Sequence, residues 1–248
     1  VAPSRWVRDL LVANGVAESR IAVCGQGIEH APIARRPPVA RGHGLRIATL
    51  ARLDAMKGVH LLIEALRARP ALDVRLDVFV VAPRGAETAY GRRLRREASG
   101  DARVRLLPAL AHDAVFQTLA GYDLVAVPSQ VLETGPLVVL EAFAAGTPVI
   151  ASNLGGIAER VSHGVNGLLV PPFDPGAWAS AIERLTGDPA LLARLRAGSP
   201  PVPSMDHVAG AMHSLYSTLL ASKAPIPSAS AVPESAPVPA GAFQWAPA

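Results

Sequence analysis

From Leu45 to Val170, short apolar runs alternate with amphipathic stretches. The runs Leu45–Ala51, Val74–Val81, Val104–Leu107, Leu124–Val127, Val149–Ala151 and Leu168–Val170 predict β-strands. They are bulky and nearly continuous, the pattern of strands covered on both faces, as in a parallel sheet. Between them lie helical patterns at Val59–Arg67, Glu87–Ala98, Asp113–Ala120, Leu137–Ala145 and Gly156–Val161. Strand alternating with helix predicts a doubly wound, Rossmann-like α/β domain over residues 44–200, a parallel sheet with helices on both faces. Such sheets receive ligands beyond the carboxyl ends of their strands, at the point where the strand order reverses.

The flanking segments read differently. Residues 1–24 suggest strand, helix and strand, with Ser4 as N-cap, Gly15 as C-cap and Arg20–Cys24 as the second strand. Residues 25–43 are rich in Pro, Gly and Arg and read as a linker. After Pro201 and Pro203, the segment 204–222 carries one more amphipathic helix, Asp206–Leu220. From Lys223 onward six of 26 residues are proline, mixed with Ala and Ser, which predicts a disordered or extended tail.

Composition bounds the function class. The 248 residues, half of them apolar and 18% charged, suffice for one well-buried domain with extra segments. The formal charge of +4 is mild. The densest cationic cluster, Arg92, Arg93, Arg95 and Arg96 with Arg84 nearby, reads as a solvated helix face, with an anionic membrane surface as the alternative partner. It is not the extended basic tract of a nucleic-acid binder, so no nucleic acid is expected. The one cysteine, Cys24, permits no internal disulfide and suits a reducing compartment. No apolar run approaches the ~20 residues of a membrane span. A start at Val1-Ala2-Pro3, without methionine or leader, reads as a piece of something longer with no secretory signal. The expected location is cytoplasmic, with peripheral contact at the inner face of the membrane.

The most informative stretch runs from Pro128 to Ala142, PSQVLETGPLVVLEA. A buried strand ends at Val127, a polar loop follows, and a helix opens at Pro136, where a fixed φ suits the first helical position. That helix start lies at the carboxyl edge of the sheet. Its free N–H groups and dipole favour an anion such as a phosphate. Glu133 lies in the loop and Glu141 inside the helix, flanked by Leu140, Ala142 and Phe143; a carboxylate buried there needs hydroxyl or cationic partners. Read alone, Glu141 is equally a solvated helix residue. A second constellation, Arg52-Leu53-Asp54-Ala55-Met56-Lys57-Gly58, places two cations after the first strand and a glycine that lets the backbone pass closely. Arg clamps phosphate oxygens in pairs, and Lys acts as a point charge. Alone, the two cations are equally a surface feature. The paired glycines of Asn153-Leu154-Gly155-Gly156-Ile157 permit close backbone approach, but they are also ordinary turn residues.

Taken together and in order, these motifs are far more specific than any one of them. Glu133-x7-Glu141, followed by Ala142-Phe143-Ala144-Ala145-Gly146-Thr147-Pro148, with Arg52…Lys57-Gly58 and Gly155-Gly156-Ile157-Ala158-Glu159, resembles the retaining glycosyltransferases of family 4. The likeness runs from Val1 to about Gly198 and implies the carboxyl-terminal half of a two-lobed GT-B fold. It implies a nucleoside-diphosphate sugar as donor substrate, no cofactor and no metal. Arg52 and Lys57 would hold the diphosphate and neutralise the leaving group, and Glu133 would contact hydroxyls of the donor sugar. Thr134, Gly135, Pro136, Leu137 and Val138 would line the sugar and phosphate. Glu141 would bind the ribose, and the backbone around Leu107–Leu110 would face the base. The acceptor would be a glycan or a lipid-linked saccharide.

The chain departs from the family pattern at Gly135-Pro136, where Phe-Gly is frequent, at Ala82-Pro83-Arg84-Gly85 after the second strand, and at Gly25-Gln26-Gly27-Ile28-Glu29 in the interlobe hinge. Residues 1–24 match only the end of the amino-terminal, acceptor-binding lobe; the rest of that lobe is a missing partner. An uncovered apolar surface around Trp6, Val7, Leu10 and Leu11 follows. The alternative is a non-catalytic nucleotide-sugar-binding module on the same half-fold. A dehydrogenase is disfavoured, because no Gly-x-Gly-x-x-Gly follows the first strand. The seven histidines are scattered and read as structural or surface residues.

Overall fold

The computed structural model describes residues 1–29, 44–81 and 88–221. Six strands form one parallel sheet: β1 Leu45–Ala51, β2 Val74–Val80, β3 Val104–Pro108, β4 Leu124–Val127, β5 Val149–Ser152 and β6 Gly167–Val170. Their spatial order is β3-β2-β1-β4-β5-β6. The chain therefore winds outward from β1 to one edge, returns to the middle, and winds to the other edge. The reversal falls between β1 and β4, which pair through Ile47↔Leu124 and Ala48↔Val125.

Alternating side chains of each strand feed two cores. Ile47, Leu124 and Ile150 point to one face, where they meet Leu62 and Leu66 of α2 (Val59–Ala68), Trp178 and Ile182 of α7 (Pro175–Gly187), and Leu191 and Leu195 of α8 (Pro189–Ala197). Their neighbours Ala48, Val125 and Ala151 point to the other, against Leu119 of α4 (Val115–Leu119), Val139 and Phe143 of α5 (Leu137–Ala144), and Ile157 of α6 (Gly155–Arg160). This is the period of two expected for a strand, with apolar residues at both phases because both faces are covered. The doubly wound architecture predicted from the sequence is present.

Several boundaries differ from the sequence reading, each for a local reason. The third helix, α3 (Ala89–Ser99), has Thr88 as its cap; Glu87, like the Ala82–Gly85 departure, lies outside the described residues. The stretch Asp113–Ala120 divides into a 3-10 turn, His112–Ala114, and α4. Helices α7 and α8 went unassigned in the sequence. Each starts on an Asp-Pro pair in which the aspartate caps the helix: Asp174 accepts from the Ala177 amide and Asp188 from that of Leu191, both at 2.8 Å. Arg20–Cys24 is not a strand. Glu18–Arg20 forms a 3-10 turn, and pairing with the start of the chain shrinks to one bridge, Ala2↔Val23, because only two backbone hydrogen bonds form.

Helix α1 (Arg5–Ala13) opens on Ser4, whose hydroxyl accepts from the Val7 amide at 3.2 Å, and closes at Asn14 and Gly15, the latter at φ +87°. A second cap comes from α6, because the Glu159 carboxylate accepts from the amides of Arg5 (3.0 Å) and Trp6 (2.8 Å). None of the helix is buried; Trp6, Val7 and Leu11 are partly covered, while Leu10 and Val12 are exposed. The chain divides into two compact units, residues 1–210 and 211–248. The last helix, α9 (Met205–Ala221), begins in the first and ends in the second, where the Thr218 hydroxyl donates to the Ser214 carbonyl at 2.9 Å. The tail from residue 222, and all of the linker beyond Glu29 up to residue 43, lie outside the described residues. Among the described residues no helix is long and apolar enough to cross a membrane.

Candidate functional site

A cleft of about 280 Å³ opens at the carboxyl ends of β1 and β4, where the strand order reverses. Its walls come from Thr49, Leu50 and Ala51 of β1, from Lys57, from the segment Ala126–Ser129, and from Glu133 and Pro136–Val138. Sequences distant along the chain meet here because adjacent parallel strands deliver their following loops to the same edge.

The loop after β1 is shaped by its own residues. Asp54 accepts from the Lys57 amide at 3.0 Å and caps the 3-10 turn Ala55–Lys57. The turn ends on Gly58 in the left-handed region, φ +67°. A Cβ there would fall 1.8 Å from the Pro128 carbonyl oxygen, so only glycine lets this loop lie against the one after β4. The two loops are joined by the Gln130 amide donating to the Met56 carbonyl at 2.7 Å. The contact aims Lys57 into the cleft, where its Nζ lies 2.6 Å from Glu133 Oε1. The Ser129 hydroxyl donates to the same carboxylate oxygen at 2.8 Å. Both charged side chains remain partly open, 29% for Lys57 and 20% for Glu133, so a ligand can reach them.

Beyond Glu133 the chain passes Gly135 and enters α5. Pro136 is the N-cap rather than the first helical residue, with ψ of 98°, and no side chain caps the amides that follow. The Leu137 and Val138 turn therefore faces the cleft with donor groups and the positive end of the helix dipole, an arrangement suited to an anion. Glu141 lies one turn further in and is half-buried. Burial pushes its carboxyl up and the His112 charge opposes this only partly; no side-chain hydrogen bond holds it among the described residues.

The structure gathers Lys57, Glu133, Pro136, Leu137 and Val138 around the cleft and leaves the other sequence candidates outside its walls. Arg52 is half exposed and its Nε pairs with Asp54 at 3.2 Å. Thr134 and Gly135 continue the loop. Leu107 and Leu110 are partly buried and pack against the core on the α4–α6 face of the sheet. Two residues in the quoted loop had no role assigned from sequence. Ser129 orients Glu133. Gln130, buried, accepts from the Phe173 amide at 2.6 Å and donates to Ser152 Oγ at 3.1 Å, tying the loop to the ends of β5 and β6. Their signal was a polar Ser-Gln pair one proline after a wholly apolar strand.

The paired glycines, left open by the sequence, approach backbone. The Gly156 amide donates to the Glu133 carbonyl at 2.8 Å, and a Cβ at Gly156 would come within 2.5 Å of that oxygen. Helix α6 thus braces the Glu133 loop from below. Away from the cleft, β2 carries Asp77, fully buried, with Arg105 Nε donating at 2.6 Å and the Tyr122 hydroxyl at 2.8 Å. Burial pushes this carboxyl up, but the hydrogen bonds from Arg105 and Tyr122 outweigh it and leave it below its ordinary range.

Comparison with known proteins bears on the family and the fold. D-inositol 3-phosphate glycosyltransferase of Rhodococcus opacus is 40% identical over 161 residues, 62% of this chain and 36% of that protein. The enzyme of the same name from Thermobispora bispora is 33% identical over 223 residues, 78% of this chain and 51% of that one. The chain thus spans about a third to a half of the length of these curated relatives. Among solved structures, sucrose-phosphate synthase of Thermosynechococcus elongatus superposes with a TM-score of 0.74 at 26% identity, covering 89% of this chain and 58% of that one. Anabaena Alr3699/HepE, solved with UDP-glucose, gives 0.71 at 24% identity over 89% of this chain and 63% of its own, a likeness of fold. Residues 32–199, well over half of the sequence and the stretch that builds both walls of the cleft, match the family model described as glycosyl transferases group 1, and the chain belongs to that family.

Proposed function

We propose that this chain is the donor-binding half of a retaining, metal-independent GT-B glycosyltransferase of family 4. It takes a nucleoside-diphosphate sugar and passes the glycosyl group to a glycan or lipid-linked acceptor held by an amino-terminal lobe. The observation that carries the reading is the meeting of Lys57, Glu133 and the uncapped start of α5 in one cleft at the strand reversal.

Each group has a physical task. The departing nucleoside diphosphate develops negative charge, and Lys57 with the α5 amides meets it in a partly water-excluded site, where fixed dipoles act most strongly. An ammonium group has three donors, so Lys57 serves Glu133 and a phosphate oxygen together. Glu133, held by Lys57 and Ser129, presents its second oxygen to sugar hydroxyls. Arg52 joins by exchanging Asp54 for phosphate, one anion for another. Glu141, half-buried and without a hydrogen-bonding partner among the described residues, is suited to the two hydroxyls of a ribose, which satisfy a carboxylate that water reaches poorly. The cleft, at about 280 Å³, lies just below the ~300–1,000 Å³ typical of small-molecule sites. It accommodates the diphosphate and part of the sugar, with ribose and base extending along Glu141, Leu110 and Leu107.

The test is calorimetric titration of the chain with UDP, GDP and ADP. Saturable heat with at least one is expected, and binding by none of the three overturns the reading. The same titrations repeated with a chelator report on metal independence.

A further inference from the structure

We infer that Gln26 is a positioning residue for the loop Glu133–Pro136: its side chain is seated on Gly135 and carries the placement of the segment 25–28 to the carboxylate that faces the donor sugar. The inference rests on the donor-site reading above and concerns a residue outside the sheet, in a segment where the sequence departs from its family.

Three observations support it. First, the contact is tight, and glycine at 135 leaves room for it. A Cβ at position 135 would fall 1.8 Å from Gln26 Oε1 and 2.4 Å from its Cδ, so any other residue at 135 would push the Gln26 amide aside. Second, nothing in the contact itself holds it. Gln26 Oε1 is buried and has no hydrogen-bond partner among the described residues, although a buried amide oxygen normally finds a donor. The side chain is therefore delivered by its backbone, which is anchored on the far side: Ile28 is buried, and its amide donates to the Pro203 carbonyl at 3.0 Å. A Cβ at Gly27 would strike the Ser204 carbonyl oxygen at 2.5 Å. Third, the loop is pinned on its other side. The Glu133 carbonyl is held by the Gly156 amide, and its carboxylate by Lys57 and Ser129. A loop braced from below by α6 and pressed from above by Gln26 has little freedom. Displacing residues 25–28 removes one of the two braces.

The experiment is titration of the 248-residue chain with UDP and with UDP-glucose, in the wild type and in Gln26→Ala, Gln26→Met, Gly135→Ala and the Gln26→Ala/Gly135→Ala double variant. The wild type is expected to bind both. Gln26→Ala is expected to lower UDP-glucose affinity by about tenfold, as for losing one aligned hydrogen bond, while UDP affinity moves by less than about twofold, because Glu133 faces the sugar. Gln26→Met fills the same space and is expected to keep the wild-type preference. Gly135→Ala unseats the Gln26 amide and is expected to weaken UDP-glucose binding by about as much as Gln26→Ala does, and much less in the Gln26→Ala background, where no amide is left to displace. Equal losses for UDP and UDP-glucose in Gln26→Ala, a loss in Gln26→Met as large as in Gln26→Ala, or a Gly135→Ala penalty equal in both backgrounds each overturns the inference. If the wild type binds neither probe, the donor-site reading falls by itself. The seating of Gln26 is then decided by thermal unfolding: a Gly135→Ala drop in Tm that Gln26→Ala does not relieve refutes it.

Discussion

Lys57→Ala separates binding from folding at the centre of the cleft. In the free protein Lys57 Nζ lies 2.6 Å from Glu133, with side-chain exposures of 29% and 20%. A pair this open is worth more than a surface ion pair, at 0–1 kcal/mol, and less than a fully buried one, whose halving costs 3–5. The hydroxyl of Ser129 still donates to Glu133 after the substitution. The stability loss should therefore be about 1–2 kcal/mol, or roughly 3–6 °C in Tm for a domain of this size. Binding should suffer more. A hydrogen bond from an ammonium to a phosphate contributes about 1.5–3 kcal/mol, which is about 10–150-fold in Kd. Lys57→Arg keeps the charge and should retain most of the affinity. Calorimetry with the best-binding diphosphate gives Kd, and differential scanning gives Tm. A Kd change under about threefold together with a Tm loss of this size would refute the assignment and make Lys57 a structural counter-ion of Glu133.

Other outcomes follow from the same geometry. Burial raises the Glu141 carboxyl in the free protein, and hydroxyl donors favour its ionised form. Nucleotide affinity should thus rise with pH through that raised pKa and level off above it, with proton release on binding below the plateau. Glu141→Gln should remove both effects in paired-buffer calorimetry and, by removing a poorly solvated charge, should not lower Tm at pH 7; an unchanged pH profile would sink the ribose role. Asp77 is the opposite case: its folded carboxyl lies below its unfolded value of about 4. Its contribution is present above that value and lost as pH falls through the folded pKa. Asp77→Asn should cost about 2–3 kcal/mol at pH 7, less than a fully buried pair because Arg105 is 41% exposed, and should flatten the acid limb of denaturant midpoint against pH. Gly58→Ala should cost at least about 2 kcal/mol, since the left-handed φ and the Pro128 carbonyl both oppose a side chain. Recovery of wild-type stability by that variant would show that the two loops can separate freely.

The sheet was legible because burial on two faces leaves one simple trace, a run of apolar residues at both phases of the strand. Val125 and Ala126 serve opposite cores, so neither can be polar. The same logic hid Asp77. An acid in a largely apolar run signals a partner; Arg75 on the same strand lies 3.7 Å away, but the hydrogen-bond donors sit on β3 and beyond α4, 28 and 45 residues away, and spacing cannot name them. Helices α7 and α8 escaped for a different reason. Their start signals, Asp174-Pro175 and Asp188-Pro189, were plain, but they lie past the last strand, where the alternation of strand and helix no longer guides the eye. Residues 20–24 show the converse error, a short apolar segment with strand propensity but only a single bridge to pair with.

At the site, chemistry was readable and geometry was not. Lys57 and Glu133 are 76 residues apart, and their contact at 2.6 Å exists because β1 and β4 are neighbours only once the chain has wound out and back. A strand reversal separates two oppositely wound halves, so the loops that follow β1 and β4 diverge to either side and leave a crevice between them. The residues that close the crevice must then be small or backbone-donating, which is where Gly58 and Gly156 fall. The glycines of this chain that looked like ordinary turns are the points where one loop presses on another. The charged pair stays partly open above them, with a free helix start beside it. A core built to the same density throughout would have covered both charges. The reversal prevents this, and so a place where the fold does not close over itself is also where Lys57, Glu133 and the uncapped amides of α5 collect.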